Sequence, residues 1–136
     1  MTSGWLATEM DSFMLSGKIA PKGMPDSSLP IRLGSDVADE LHGRMLVRYV
    51  IDAHEPPRSV PTYVCPTPLS TEELDAFLAL PRPDLRREFA IFLDPMRIDQ
   101  IQGPRWCAMG QGIEYILPSG YTAGAVLPPG WGVRIR

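Results

Sequence analysis

Apolar residues recur at short intervals along this chain, in runs bounded by glycine, proline and charged residues. In residues 44–52, RMLVRYVID, both alternating sets of positions are largely apolar, which predicts a strand covered on both faces. Shorter apolar runs predict further strands or extended pieces at residues 60–65, 86–93, 97–101, 114–117 and 133–135. The pattern therefore indicates a molecule built mainly on strands.

The first 34 residues follow a different pattern. Residues 3–17 place aromatic, Leu and Met side chains at helical spacing on one face, which predicts an amphipathic helix whose apolar face packs against the core. Residues 18–34 are rich in Pro, Gly, Ser and Asp, which predicts a loop or an extended surface arm.

Two more short helices are predicted from capping residues. Ser35 precedes a helical turn over residues 36–41, and Gly43 is placed to end it. Ser70 followed by an acidic residue three positions later fits a capping box, which predicts a helix over residues 70–80.

Composition limits the length of these elements. The chain of 136 residues contains 15 Pro and 12 Gly, which break it too often for long helices, because proline lacks a backbone donor and fixes φ. We predict an α+β fold with a small, mixed, mainly antiparallel, split β-sheet core and a few short helices. Residues 1–43 would form a helix and loop region packed on a β-rich core at residues 44–136, together making one compact domain.

Charge and hydropathy exclude several classes of function. A net charge of −3 and a pI near 5.3 argue against a nucleic-acid-binding protein, which normally carries a clustered basic surface. Neither a leader sequence nor a membrane-spanning apolar run is evident. We therefore expect a soluble protein of the cytoplasm, or of a target cell's cytoplasm after delivery by a secretion system.

Cysteine and histidine offer little chemistry. Cys65 and Cys107 could pair, but two cysteines make no disulfide framework, and free thiols are the expectation. Neither these residues nor His42 and His54 have the spacing of a zinc site, so no metal is expected. The two histidines could still serve as acid and base in a ribonuclease, which is one alternative function.

Arg48 and Glu114 are charged residues within apolar predicted strands, and each is a candidate functional residue. Arg48 lies within the most apolar predicted strand, so its guanidinium requires either a structural salt bridge or an anionic ligand. From Gly103 to residue 112 the chain is broken by glycine, which predicts a loop, and Glu114 follows it at the start of the apolar run EYIL. It is either an outward polar position of a strand or a catalytic carboxylate.

The order of these segments resembles ADP-ribosyltransferase-like domains of bacterial polymorphic toxins, particularly the NAD-cleaving necrotizing-toxin branch. The resemblance covers residues 44–118. It rests on the strand with an inward Arg, the segment TYVCPT, the predicted helix ending LALP, and the glycine-rich GQGIEYILP. It implies a toxin or effector that consumes NAD as a substrate without a cofactor, with an immunity protein or a protein acceptor as partner.

The resemblance also implies roles for individual residues. Arg48 would bind a phosphate of NAD, and Tyr63 or Thr67 would lie beside the nicotinamide and its ribose. Glu114 would be the catalytic acidic residue, with Gln111 in the loop that meets the second substrate. The chain departs from the transferase pattern at Gly112, where a Gln or Glu is usual, which favours NAD hydrolysis over protein modification. The competing hypothesis is a non-catalytic interaction protein, such as an immunity factor or adaptor, which the acidic pI and the apolar helix face also fit.

Overall fold

The computed structural model of this chain describes residues 19–21, 24–66, 88–106 and 113–135. Within these ranges the α-helix α1 spans Gly34–Leu41, and short 3₁₀ turns occupy Asp26–Ser28, Pro95–Arg97 and Ala123–Ala125. The strands are β1 (Ile31–Arg32), β2 (Leu46–Val50), β3 (Thr62–Pro66), β4 (Phe89–Leu93), β5 (Ile101–Trp106), β6 (Ile113–Leu117) and β7 (Val133–Arg134).

These strands form one sheet in the order β1-β5-β6-β3-β2-β4-β7, and every neighbouring pair is antiparallel. Strand β3 joins the two halves, because residues 62–64 pair with β6 whereas Cys65 and Pro66 pair with β2. The prediction of a small α+β domain with a mainly antiparallel sheet and few helices is confirmed.

The two faces of the sheet follow from this register. Val64 pairs with Tyr115, and Tyr115 contacts α1 through a hydrogen bond to Glu40, so these residues mark the face that α1 covers, here called the helix face. Tyr63 and Glu114 alternate with them along β3 and β6 and therefore lie on the other side, here called the cluster face.

The hydrophobic core lies between α1 and the helix face. Its members are almost completely buried, and they include Val37 and Leu41 of α1, with Leu46, Val50, Val64, Ile91, Leu93, Ile101, Ile113, Tyr115 and Leu117 of the strands. Strands β2 and β6 contribute residues at alternate positions, as the apolar pattern requires.

The start of α1 corrects the prediction that Ser35 is its cap. The helix begins at Gly34, and Leu33 occupies the N-cap position without a side-chain hydrogen bond. Instead, the backbone N–H of Gly34 donates to the carbonyl oxygen of Ile98 at 3.0 Å. A Cβ atom at Gly34 would lie 2.1 Å from that oxygen, so the close approach of helix and turn requires glycine.

Residues 97–106 are also folded differently from the prediction. Residues 95–97 form a 3₁₀ turn, and the chain from Ile101 to Trp106 is strand β5, although Gly103 was expected to open a loop. The two breakers, Gly103 and Pro104, are accommodated by a register shift between Gln102 and Arg105.

The segment before α1, predicted as a loop or an extended surface arm, includes a strand of the sheet. Strand β1 forms one edge of the sheet against β5, and Ala20 forms a further bridge to Arg105. Other predicted features, namely the helices over residues 3–17 and 70–80 and the loop at 107–112, lie outside the described residues. Within the described ranges, no helix is both long and apolar enough to cross a membrane.

Candidate functional site

Glu114 and Arg105 form the centre of a buried polar cluster on the cluster face. They are direct partners in the register of β6 and β5. Nε of Arg105 lies 2.6 Å from Oε2 of Glu114, and the two side chains are only 11% and 10% exposed. Because both charges are removed from water, each depends on the other for its stabilisation.

Asp26 and Tyr63 complete this cluster. Nη1 of Arg105 lies 2.5 Å from Oδ1 of Asp26, and the hydroxyl of Tyr63 donates to Oδ2 of Asp26 at 2.7 Å. Cζ of Arg105 also lies 5.5 Å from the centre of the Tyr63 ring, within cation–π distance. One guanidinium therefore connects two carboxylates and one aromatic ring.

Asp26 belongs to residues 24–29, here called the Asp26 segment, which lies across the cluster. Nη1 of Arg105 donates to the carbonyl oxygen of Met24 at 2.9 Å. Gln102, buried on β5, donates to the carbonyl oxygens of Asp26 at 2.9 Å and Leu29 at 2.8 Å. These bonds hold the segment against the sheet beside Arg105.

The surroundings shift the pKa values of two cluster residues. Burial lowers the pKa of Arg105, but the hydrogen bond and charge of Glu114, together with Asp26, outweigh it, so that the pKa is raised overall. The pKa of Tyr63 is raised, chiefly because its hydroxyl donates to the Asp26 carboxylate. At neutral pH the cluster therefore contains a charged guanidinium and a neutral phenol.

Arg48 lies apart from this cluster. Its neighbours in the β2 register place it on the helix face, opposite Glu114 and Tyr63. Its Nε and Nη2 donate to the two carboxylate oxygens of Glu55 at 2.8 and 3.3 Å. This half-buried guanidinium therefore has its anion within the chain. Of the two interpretations drawn from the sequence, the structure shows the salt bridge.

No protein-family model, curated protein or solved structure matches this chain.

Of the residues predicted to act, the structure brings two together. Glu114 and Tyr63 share the cluster face and are connected through Arg105 and Asp26, whereas Arg48 is tied to Glu55 on the other face. Gln111 and Thr67 lie outside the described residues, as does Cys107. Among the described residues, no group of three His, Cys, Asp or Glu side chains could hold a metal ion.

Arg105 and Asp26 were not predicted as site residues. Arg105 stands between apolar residues in PRWC, a pattern that can indicate a buried cation in need of a partner. Asp26 gave no such signal, because an aspartate in a Pro- and Ser-rich stretch looks like an ordinary turn residue.

The two histidines considered for a ribonuclease have separate surroundings. His42 follows α1 in the left-handed conformation, with φ of 52°. His54 lies in the turn after β2, where its ring centre is 6.1 Å from that of Trp131.

The cluster combines three chemical groups that a single ligand could use. A carboxylate can stabilise positive charge, a guanidinium can bind a phosphate, and an aromatic face can stack on a planar ring. All three lie on neighbouring strands of the same face, so the sheet fixes their relative positions.

Proposed function

We propose that this chain cleaves NAD at the bond between nicotinamide and ribose, acting most simply as a glycohydrolase of the ADP-ribosyltransferase-like type. When that bond breaks, its electron pair goes to the nicotinamide nitrogen and positive charge develops on the ribose. Water then attacks the ribose carbon and loses a proton, which gives ADP-ribose. The Glu114 carboxylate would stabilise the positive ribose, and it would do so most strongly in a site that excludes water.

The observation that carries this proposal is the placement of Glu114, Arg105 and Tyr63 on one face. Tyr63 is about half exposed, so its ring is available to a nicotinamide or adenine ring. Arg105 is paired directly with Glu114, which makes it a better phosphate anchor than Arg48 on the opposite face.

Substrate binding in this proposal requires a rearrangement. Arg105 is held by the carboxylates of Asp26 and Glu114, and the Asp26 segment lies against its guanidinium. The pyrophosphate of NAD would replace Asp26 on the guanidinium, because a phosphate offers the same charge-assisted hydrogen bonds.

The test is release of nicotinamide from NAD by the purified chain. Glu114→Gln keeps the shape of the side chain but removes its charge, so turnover should fall by at least about a hundredfold, as for loss of a residue that stabilises transition-state charge. Arg105→Lys should raise KM, since lysine cannot make the two-pronged contact of arginine.

Arg48→Ala is the matched comparison for Arg105→Lys. If Arg105 is the anchor, Arg48→Ala should alter stability while KM for NAD stays near the wild-type value. If Arg48→Ala raises KM and Arg105→Lys does not, the original assignment of Arg48 holds and the role of Arg105 fails. Absence of any nicotinamide release from the wild type would contradict the function itself.

A second candidate, a non-catalytic interaction protein, is favoured by the edge of the sheet. Strand β1 is an edge strand, and Ile31 and its neighbour Leu33 are 57% and 60% exposed. An extended segment of a partner could add to this edge and cover both side chains. In that case the ion pair of Glu114 and Arg105 would be structural, and nicotinamide release would be absent.

A further inference from the structure

A cleft of about 390 Å³ lies at the far end of the sheet from Glu114. Its walls come from the chain before β3, the turn before β5 and the chain after β6, and they include Arg58, Arg97, Asp99, Ser119, Tyr121 and Thr122. The register shows the separation, because Thr62 pairs with Leu117 at this end whereas Arg105 pairs with Glu114 near the other.

The walls of this cleft are joined by specific contacts. The backbone N–H of Tyr121 donates to the carbonyl oxygen of Arg58 at 2.8 Å. The preceding residue, Gly120, has φ of +70°, and a Cβ atom there would lie 1.8 Å from the same oxygen. On another wall the hydroxyl of Ser119 donates to the side-chain oxygen of Gln100 at 3.0 Å. The cleft therefore has a defined shape in the absence of any ligand.

Two guanidinium groups line the cleft. Nε of Arg58 donates to the hydroxyl oxygen of Thr62 at 3.3 Å, and Thr62 in turn donates to the carbonyl oxygen of Val60 at 2.8 Å. This contact orients Arg58, while its two Nη groups make no hydrogen bond to the described residues. Arg97 forms no ion pair with any other residue that the structure describes.

The cleft also contains groups that would limit what it binds. Asp99 is the one carboxylate among the lining residues, so the wall carries two positive charges and one negative charge. Ser59, Ser119 and Thr122 add hydroxyls that can donate or accept hydrogen bonds. This combination suits a ligand with one anionic group and several hydroxyls.

We propose that this cleft binds a small phosphorylated ligand, with Arg58 and Arg97 on its phosphate. Guanidinium groups match the geometry of phosphate oxygens, and the volume lies within the range of roughly 300–1,000 Å³ that small-molecule sites occupy. The site is separate from the Glu114 cluster, so the inference does not depend on NAD cleavage.

Calorimetric titration of the purified chain with ribose 5-phosphate and with inorganic pyrophosphate tests the proposal. Both probes should bind, and added salt should weaken the binding because the contacts are ionic. Arg97→Glu changes an exposed side chain, so the fold should persist while binding is lost. Arg58→Ala should weaken binding by about tenfold or more, as expected for loss of a charge-assisted hydrogen bond.

Arg134→Ala is the matched control, since Arg134 is an exposed arginine on β7 that pairs with Glu88. Its affinity for both probes should equal that of the wild type. The proposal fails if neither probe binds, if Arg97→Glu binds as well as the wild type, or if Arg134→Ala weakens binding as much as Arg58→Ala. Equal binding of citrate would overturn the assignment to phosphorylated ligands.

Discussion

Arg105 is the residue on which the polar cluster depends. Removing it leaves the Glu114 carboxylate almost buried and without its cation, and an uncompensated buried charge is more costly than the loss of an exposed ion pair. We predict that Arg105→Met lowers the free energy of unfolding by about 3 kcal/mol. Urea denaturation measures this change.

A double-mutant cycle provides the control for Arg105→Met. Glu114→Gln should cost less than Arg105→Met, and the double variant should lose less than the sum of the two single losses, because the stranded charge is gone. Additive losses would contradict the interpretation that the two side chains stabilise each other.

Tyr115 gives a pH-dependent prediction at the same scale. It is fully buried and donates to Glu40 at 3.1 Å, and burial first, then the charge of Glu40, raises its pKa well above the ordinary value. Below about pH 10 the phenol is protonated in both folded and unfolded chains, and its contribution to stability is constant. Above that pH the unfolded chain loses the proton that the folded chain keeps, so stability falls as pH rises.

Tyr115→Phe should therefore flatten the alkaline loss of stability. The slope above about pH 10 should decrease by up to about 1.4 kcal/mol per pH unit, whereas at neutral pH the variant should lose only about 1 kcal/mol from the missing hydrogen bond. Unfolding free energies measured between about pH 8 and pH 11 test this prediction, because that range brackets the ordinary pKa of a phenol, about 10. An unchanged slope would mean that Tyr115 does not carry the effect.

The turn that follows β6 depends on Gly120. An alanine there would place Cβ against the Arg58 carbonyl in a backbone conformation that favours glycine. We predict that Gly120→Ala lowers the free energy of unfolding by more than about 2 kcal/mol, because the connections to β3 and β6 must move apart.

Gly43 is the matched comparison, since its φ is +86° but no atom lies within 4 Å of a Cβ built there. Gly43→Ala should cost only the backbone strain, about 1 kcal/mol. Equal losses at the two positions would show that the close approach to Arg58 contributes nothing.

The Asp26 segment lies against Arg105, the partner of Glu114. Asp26→Asn keeps the size of the side chain but weakens its attraction to Arg105. We predict faster cleavage of this segment in limited proteolysis and, if the chain cleaves NAD, faster nicotinamide release. Asp39→Asn, at an exposed position of α1, should leave both rates unchanged.

Across the whole sheet, local sequence patterns predict some strands and miss others. The alternation in residues 44–52 and the apolar run before Pro118 predicted β2 and β6 to within a few residues, because each strand buries its own side chains. Strand β5 was missed, because Gly and Pro ordinarily interrupt strands. Gly103 and Pro104 fit here through a register shift in the pairing of β5 with β6.

The candidate site was harder to predict than the strands, because it depends on contacts between residues far apart in the sequence. Glu114 and Tyr63 were identified from the sequence, but their connection through Arg105 and Asp26 depends on pairings between residues about 80 positions apart. Arg48 was correctly expected to need an anion. Sequence could not show that Glu55, seven residues later, would supply it.

The role of Glu114 in NAD cleavage is tested by measuring nicotinamide release by the wild type and by Glu114→Gln, with folding of both checked by thermal denaturation. We expect measurable release by the wild type and a loss of at least about a hundredfold in the folded variant. No release by the folded wild type, or equal release by the two, would contradict the role of Glu114 in NAD cleavage.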